Sequence, residues 1–138
     1  MKKPLSYTLL LITLFTASFV SDRPGSKDKS EILDVVNLYI SVTDHADSTA
    51  ITKSFHPDAK LLSVNSSGEL KTMTLGEWWS RISGIKNPAT RKSNIKILDI
   101  SGVSAVVKVE FKNSSDFISL LKLNGGWKIV NKTLSIVL

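Results

Sequence analysis

The side chains most able to carry chemistry gather in one region of this sequence. Asp44, His45 and Asp47 are followed by His56 and Asp58, a grouping that could supply metal ligands or an acid–base pair. Simpler roles account for the same residues. Asp47 stands just before Ser48-Thr49-Ala50, where its carboxylate can cap a short helix. His56 precedes Pro57 at the end of that helix, and Asp44, His45 and Asp58 read as solvated loop residues. No metal, cofactor or catalytic residue is therefore assigned from the cluster. Without cysteine, thiolate metal sites, disulfides and cysteine nucleophiles are excluded as well. Trp78 and Trp79 could stack on a flat ligand, but adjacent helical positions point about 100° apart. One belongs to the core and the other to a pocket wall or the surface, and Trp79 is given the wall. Lys86, Arg91, Lys92 and Lys96 form a basic stretch without interleaved aromatics, which reads as a solvated loop rather than a nucleic-acid site.

These residues must be positioned by a small domain. At 138 residues, with 42% hydrophobic and 22% charged, the chain suffices for one domain with a real core. Its first segment has another purpose. Lys2 and Lys3 precede an uncharged apolar run from Leu5 to Val20, and Thr16-Ala17-Ser18 and Ser21 offer small residues for cleavage. Residues 1–21 read as a secretory signal peptide. The expected destination is outside the cytoplasm, periplasmic or secreted, with no nucleic-acid partner and no stable membrane insertion after cleavage. Loss of Lys2 and Lys3 leaves 18 − 2 = 16 basic against 12 acidic residues, a charge of +4 rather than +6. Residues 22–29, with Pro24 and Gly25, read as a linker, and residues 30–138 as the domain.

Within the domain, Ser30 is expected to cap a long helix whose Ile32, Leu33, Val36, Tyr39, Ile40 and Thr43 recur at helical spacing. A second helix follows Asp47 and stops before Pro57. From Ala59 the apolar period becomes two, with a first hairpin over Ala59–Val64 and Glu69–Met73. Thr74-Leu75-Gly76-Glu77 has the form of a capping box opening a third helix. Asn94–Ile100 and Val103–Lys112 form another hairpin. A last one joins two runs through Asn124-Gly125-Gly126. If those three residues are the loop, Leu123 faces Trp127, Leu121 faces Ile129, Ser119 faces Asn131 and Phe117 faces Thr133 on an inner surface. Lys122, Lys128, Leu120, Val130, Ile118 and Lys132 then lie outside. The layout is α+β, a curved antiparallel sheet wrapped around about three N-terminal helices.

Four segments, in order, carry a resemblance: Phe55-His56-Pro57-Asp58-Ala59, Met73-Thr74-Leu75-Gly76-Glu77-Trp78, Asp116-Phe117-Ile118-Ser119-Leu120 and Trp127-Lys128-Ile129-Val130-Asn131-Lys132. Together they resemble the lumazine-binding-like branch of the nuclear transport factor 2-like (cystatin-like) superfamily, from about Glu31 to the C terminus. The resemblance implies a cone-shaped α+β barrel with a pocket between helices and sheet, often dimeric. Tyr39 is similar in position to the oxyanion-hole tyrosine of ketosteroid isomerases of that superfamily. The carboxylate base of those enzymes falls on Ser63, and their protonated aspartic acid on Ser119. Serine alone cannot move a proton between carbons near neutrality.

The expected pocket is lined by Tyr39, Ser63, Trp79, Phe117, Ser119, Leu121, Ile129 and Asn131. Its neutral character suits a small apolar or aromatic ligand without charge. Binding without turnover is the first reading. The alternative is an isomerase, dehydratase or cyclase using Tyr39 with Asp44, His56 or Asp99 as base. The outer sheet face, with Val106, Ile118, Leu120 and Val130 among lysines, is the expected homodimer contact.

Overall fold

Helix α1 (Ser26–His45) buries Ile32, Val35, Val36, Tyr39 and Val42 along one stripe, the spacing of a helix face turned to a core. It starts earlier than a Ser30 cap would allow. Gly25 occupies the cap position without a side-chain bond, so part of the segment read as linker is helical. The computed structural model describes residues 25–85 and 90–136; the signal-peptide segment lies outside them. Among the described residues no helix is long and apolar enough to cross a membrane.

Helix α2 (Ser48–Ser54) is capped by Asp47, whose carboxylate accepts from the Thr49 and Ala50 amides. It ends before His56, because Phe55 is already extended and the residue preceding a proline avoids helical backbone. Strand β1 (Phe55–Val64) thus begins at once and turns into β2 (Leu70–Thr74). The capping box forms as expected at the head of α3 (Leu75–Ile82): the Glu77 amide donates to Thr74, and the Glu77 carboxylate accepts from the Thr74 amide. Strands β3 (Asn94–Ser101), β4 (Ser104–Glu110), β5 (Ser114–Leu123) and β6 (Gly126–Ile136) complete the chain.

The six strands form one sheet in the order β2-β1-β6-β5-β4-β3. Every pairing is antiparallel except β1 with β6, so the expected antiparallel sheet is mixed. With β2 and β3 as free edges, it is a curved, unclosed sheet rather than a barrel. Its inner face packs Phe55, Leu61, Val107, Val109, Ile118, Leu120, Trp127 and Ile129 against α1 and Trp78 of α3.

A bulge in β6 overturns the expected assignment of faces. Pairing runs from Phe117 with Thr133 through Ser119 with Asn131, as expected, and then shifts so that Leu120 faces Ile129 and Lys122 faces Trp127. Val130 is the unmatched residue. A β-bulge adds one residue to one strand, and an added residue inverts the alternation beyond it. Trp127 and Ile129 therefore share the inner face with Leu120, Ile118 and Lys132, all buried. Phe117, Ser119, Leu121 and Asn131 fall on the other face, where Phe117 is 38% exposed. For the same reason Ile118, Leu120 and Lys132 are not available to an outer contact, which instead presents Val106 and Phe117.

Candidate functional site

Three ionisable side chains meet on the inner face. Tyr39 reaches the sheet from the buried stripe of α1, and its hydroxyl donates to Asp116 Oδ2. Asp116 faces inward because it alternates with Ile118 and Leu120 along β5. Lys132 is turned inward by the bulge; it lies opposite Ile118, diagonal to Asp116, and its Nζ donates to Asp116 Oδ1 at 2.9 Å. Diagonal neighbours on adjacent strands are within reach of a long side chain. All three residues are buried, so each charge needs its partner. The Lys132 ammonium also lies 5.8 Å from the centre of the Tyr39 ring. Burial pushes the Tyr39 hydroxyl well above its ordinary pKa, and the charge and hydrogen bond of Asp116 push it the same way.

An open cleft of about 340 Å³ lies over this triad. Trp78, Ile82, Ile85 and Leu134 make its apolar wall, and Thr43, Arg91 and Ser114 join the triad on the polar side. The spacing of α3 puts Trp78 and Ile82 one turn apart on the same face, so Trp78 and not Trp79 lines the cleft. Its ring stacks on Tyr39, with centroids 6.2 Å apart, and tilts against Phe55 at 5.4 Å. Trp79 packs at the margin of the core instead.

A second ion pair closes one end. Asp44, buried near the end of α1, accepts from Arg91 Nε at 2.7 Å and from the Arg91 amide at 2.9 Å. Arg91 Nη2 donates to Thr43 at 2.6 Å, and the guanidinium lies 4.0 Å from the centre of the Phe111 ring. The residue read as part of a solvated basic loop is thus anchored on three sides. Lys86 lies outside the described residues.

Of the residues expected to line a pocket, Tyr39 does so. Ile129 is core, opposite Leu120 and beside Phe55. Ser63 is half-buried opposite Lys71 and does not reach the cleft. Phe117, Ser119, Leu121 and Asn131 are on the far side of the sheet, for the reason given by the bulge. Among the bases considered, His56 Nδ1 accepts from the Asp58 amide at 3.2 Å, Asp44 is committed to Arg91, and Asp99 lines a separate groove. Among the described residues no three histidine or acidic groups are arranged to hold a metal. Asp116, Lys132 and Arg91 were missed. An inward lysine looks like an outward one until the bulge is known, and Asp116, which shares the parity of Ile118 and Leu120, falls on the outer face with it in the expected register.

That other groove, about 490 Å³, runs between α1 and the edge strand β3 past Leu33, Ile95, Ile97 and Leu98. Its polar residues, Lys29 and Asp99, are exposed. Of these two clefts, the one over the triad is where polar groups converge, which makes it the candidate site.

A family profile described as "putative lumazine-binding" matches residues 27–135. Among solved structures, a nuclear transport factor 2-like protein of unknown function from Methylobacillus flagellatus is 25% identical with a TM-score of 0.75, over 86% of this chain and 98% of that one. A second such protein, from Shewanella baltica, is 23% identical with a TM-score of 0.69, over 79% and 93%. A protein described as a "putative aromatic ring hydroxylase" from Novosphingobium aromaticivorans is 15% identical with a TM-score of 0.67, over 84% and 93%. No curated protein matches. The match across nearly the whole folded region, together with the curved sheet over three helices, places the chain in the "putative lumazine-binding" family of the nuclear transport factor 2-like superfamily.

Proposed function

We propose that the mature chain is an exported small-molecule-binding module whose ligand sits in the cleft over Tyr39, Asp116 and Lys132. The observation that carries this reading is a cleft with one apolar wall and a buried, already paired polar floor. A floor whose groups are held in place before the ligand arrives loses little freedom on binding. Export rests on the charged and apolar N-terminal pattern of residues 1–21.

The enzyme alternative draws support from one feature, a carboxylate beside Tyr39 in the cleft. Its geometry is that of a closed pair. A phenol has one proton to donate, and Tyr39 gives it to Asp116, so polarising a substrate carbonyl would require that bond to break. Both Asp116 oxygens are engaged, one by Tyr39 and the other by Lys132.

Thermal-shift screening of small ring-containing compounds, followed by product analysis of each hit, tests the choice. Saturable binding without product supports the module. Multiple turnovers that are lost in Asp116→Asn would replace it with the enzyme.

A further inference from the structure

Resting on the binding reading above, the geometry points to a ligand class: we infer that the cleft takes a small aromatic carboxylate, with its ring against Trp78, Ile82 and Leu134 and its carboxylate on the Lys132 and Arg91 side.

Donors and acceptors at the cleft are unequally occupied. An ammonium carries three N–H donors and a guanidinium five. Lys132 commits one to Asp116, and its others have no partner among the described residues. Arg91 commits Nε to Asp44 and Nη2 to Thr43, and Nη1 has no partner among the described residues. The acceptors are engaged already. Asp116 receives Tyr39 on one oxygen and Lys132 on the other, and Asp44 receives Arg91 on both. Tyr39 has no further hydrogen to give. Cationic donors to spare, beside carboxylate oxygens that each already accept from a phenol or a cation, favour a ligand that accepts.

Charge decides between a neutral acceptor and an anion. Two carboxylates and two cations at the cleft cancel, so an incoming anion meets no net repulsion. The rest of the chain is basic, +4 once the two leader lysines are set aside, and draws anions at long range. Hydrogen bonds from a cationic donor to a carboxylate are about twice as strong as neutral ones. A cationic ligand, by contrast, would have to share carboxylate oxygens that already accept from Tyr39, Lys132 or Arg91. Size and wall set the remainder of the ligand. About 340 Å³ lies at the low end of the ~300–1,000 Å³ usual for small-molecule pockets, and a wall of Trp78, Ile82, Ile85 and Leu134 suits one or two flat rings.

The test compares 2-naphthoate with 2-naphthamide, alike in shape and different in charge, by titration calorimetry on the mature protein. The naphthoate is expected to bind at least tenfold tighter, with an affinity that falls as salt rises while that of the amide does not. In Asp116→Leu combined with Lys132→Met, which removes both charges together and leaves Arg91 in place, the naphthoate should lose most of its advantage over the amide. Comparing the two probes on the native protein needs no variant, so the outcome does not depend on the double change folding. Equal affinity, or tighter binding of the amide, would overturn the carboxylate inference and leave the binding module standing. Failure of both probes while neutral bicyclic compounds bind would do the same. Failure of every charge class would overturn the module itself.

Discussion

Tyr39 and Asp116, 77 residues apart in sequence, are joined by a hydrogen bond in the buried floor of the cleft. The bond couples the longest helix to a central strand, and Lys132 balances the charge that it brings inside. Each member is held by the other two. Removing one leaves a buried group without its partner, and that cost is far larger than the net worth of the interaction.

Single changes in the triad should therefore be worse than a paired one. Asp116→Leu and Lys132→Met are each expected to lower unfolding free energy by about 3–5 kcal/mol, and Tyr39→Phe by about 1–3 kcal/mol. Asp116→Leu with Lys132→Met should lose less than either charge-stranding change alone. Urea unfolding of the four proteins checks this, and additive losses in the double variant would count against the triad.

Tyrosine ionisation offers a second readout. Tyr7 and Tyr39 are the two tyrosines of the chain, so a protein beginning after residue 21 reports Tyr39 alone. Burial and Asp116 raise its pKa above the ordinary 10.0, so above that pH the unfolded chain releases a proton that the folded chain retains. The stabilising contribution is intact below about pH 10 and is lost as pH rises toward the folded pKa. Tyrosinate absorbance of the native protein should stay silent through pH 10 and rise together with unfolding. A reversible rise near pH 10 with the fold intact would contradict the buried bond.

The sequence made the architecture readable because its signals are local. The stripe of α1, the Asp47 cap, the Thr74 and Glu77 box and the alternation of Ala105, Val107 and Val109 each depend on neighbours a few residues away. The site was less readable because it hangs on one bulged residue, Val130. Nothing in Ile129-Val130-Asn131 marks a bulge, and without it the inner and outer residues of the last hairpin change places. Arg91 posed a different difficulty. Its partner Asp44 lies 47 residues earlier, and no local pattern links an arginine in a basic loop to the end of a helix.

The homodimer expected through the outer sheet face is a proposal that keeps Val106 and gains Phe117 in place of the buried Ile118 and Leu120. Val106 and Phe117, each 38% exposed, are its apolar positions. Phe117→Glu should convert dimers to monomers at micromolar concentration in sedimentation, whereas Leu120→Glu should unfold the chain, since Leu120 is buried. A native protein that sediments as a monomer would remove the proposal.

Export is checked by mass. Expressed with its own leader, the protein should be recovered outside the cytoplasm with a start between about Phe19 and Pro24. Soluble cytoplasmic protein that retains Met1 would contradict this.

Chemical-shift mapping with a hit from the ring-compound screen locates the bound ligand. Backbone and side-chain signals of Thr43, Trp78, Ile82, Arg91 and Ser114 should move together and saturate at one ligand per chain, while Leu33, Ile97 and Leu98 in the second groove stay fixed. Saturable shifts confined to that second groove, or to Phe117, Ser119 and Asn131 across the sheet, would show that the cleft over Tyr39, Asp116 and Lys132 is not the binding site.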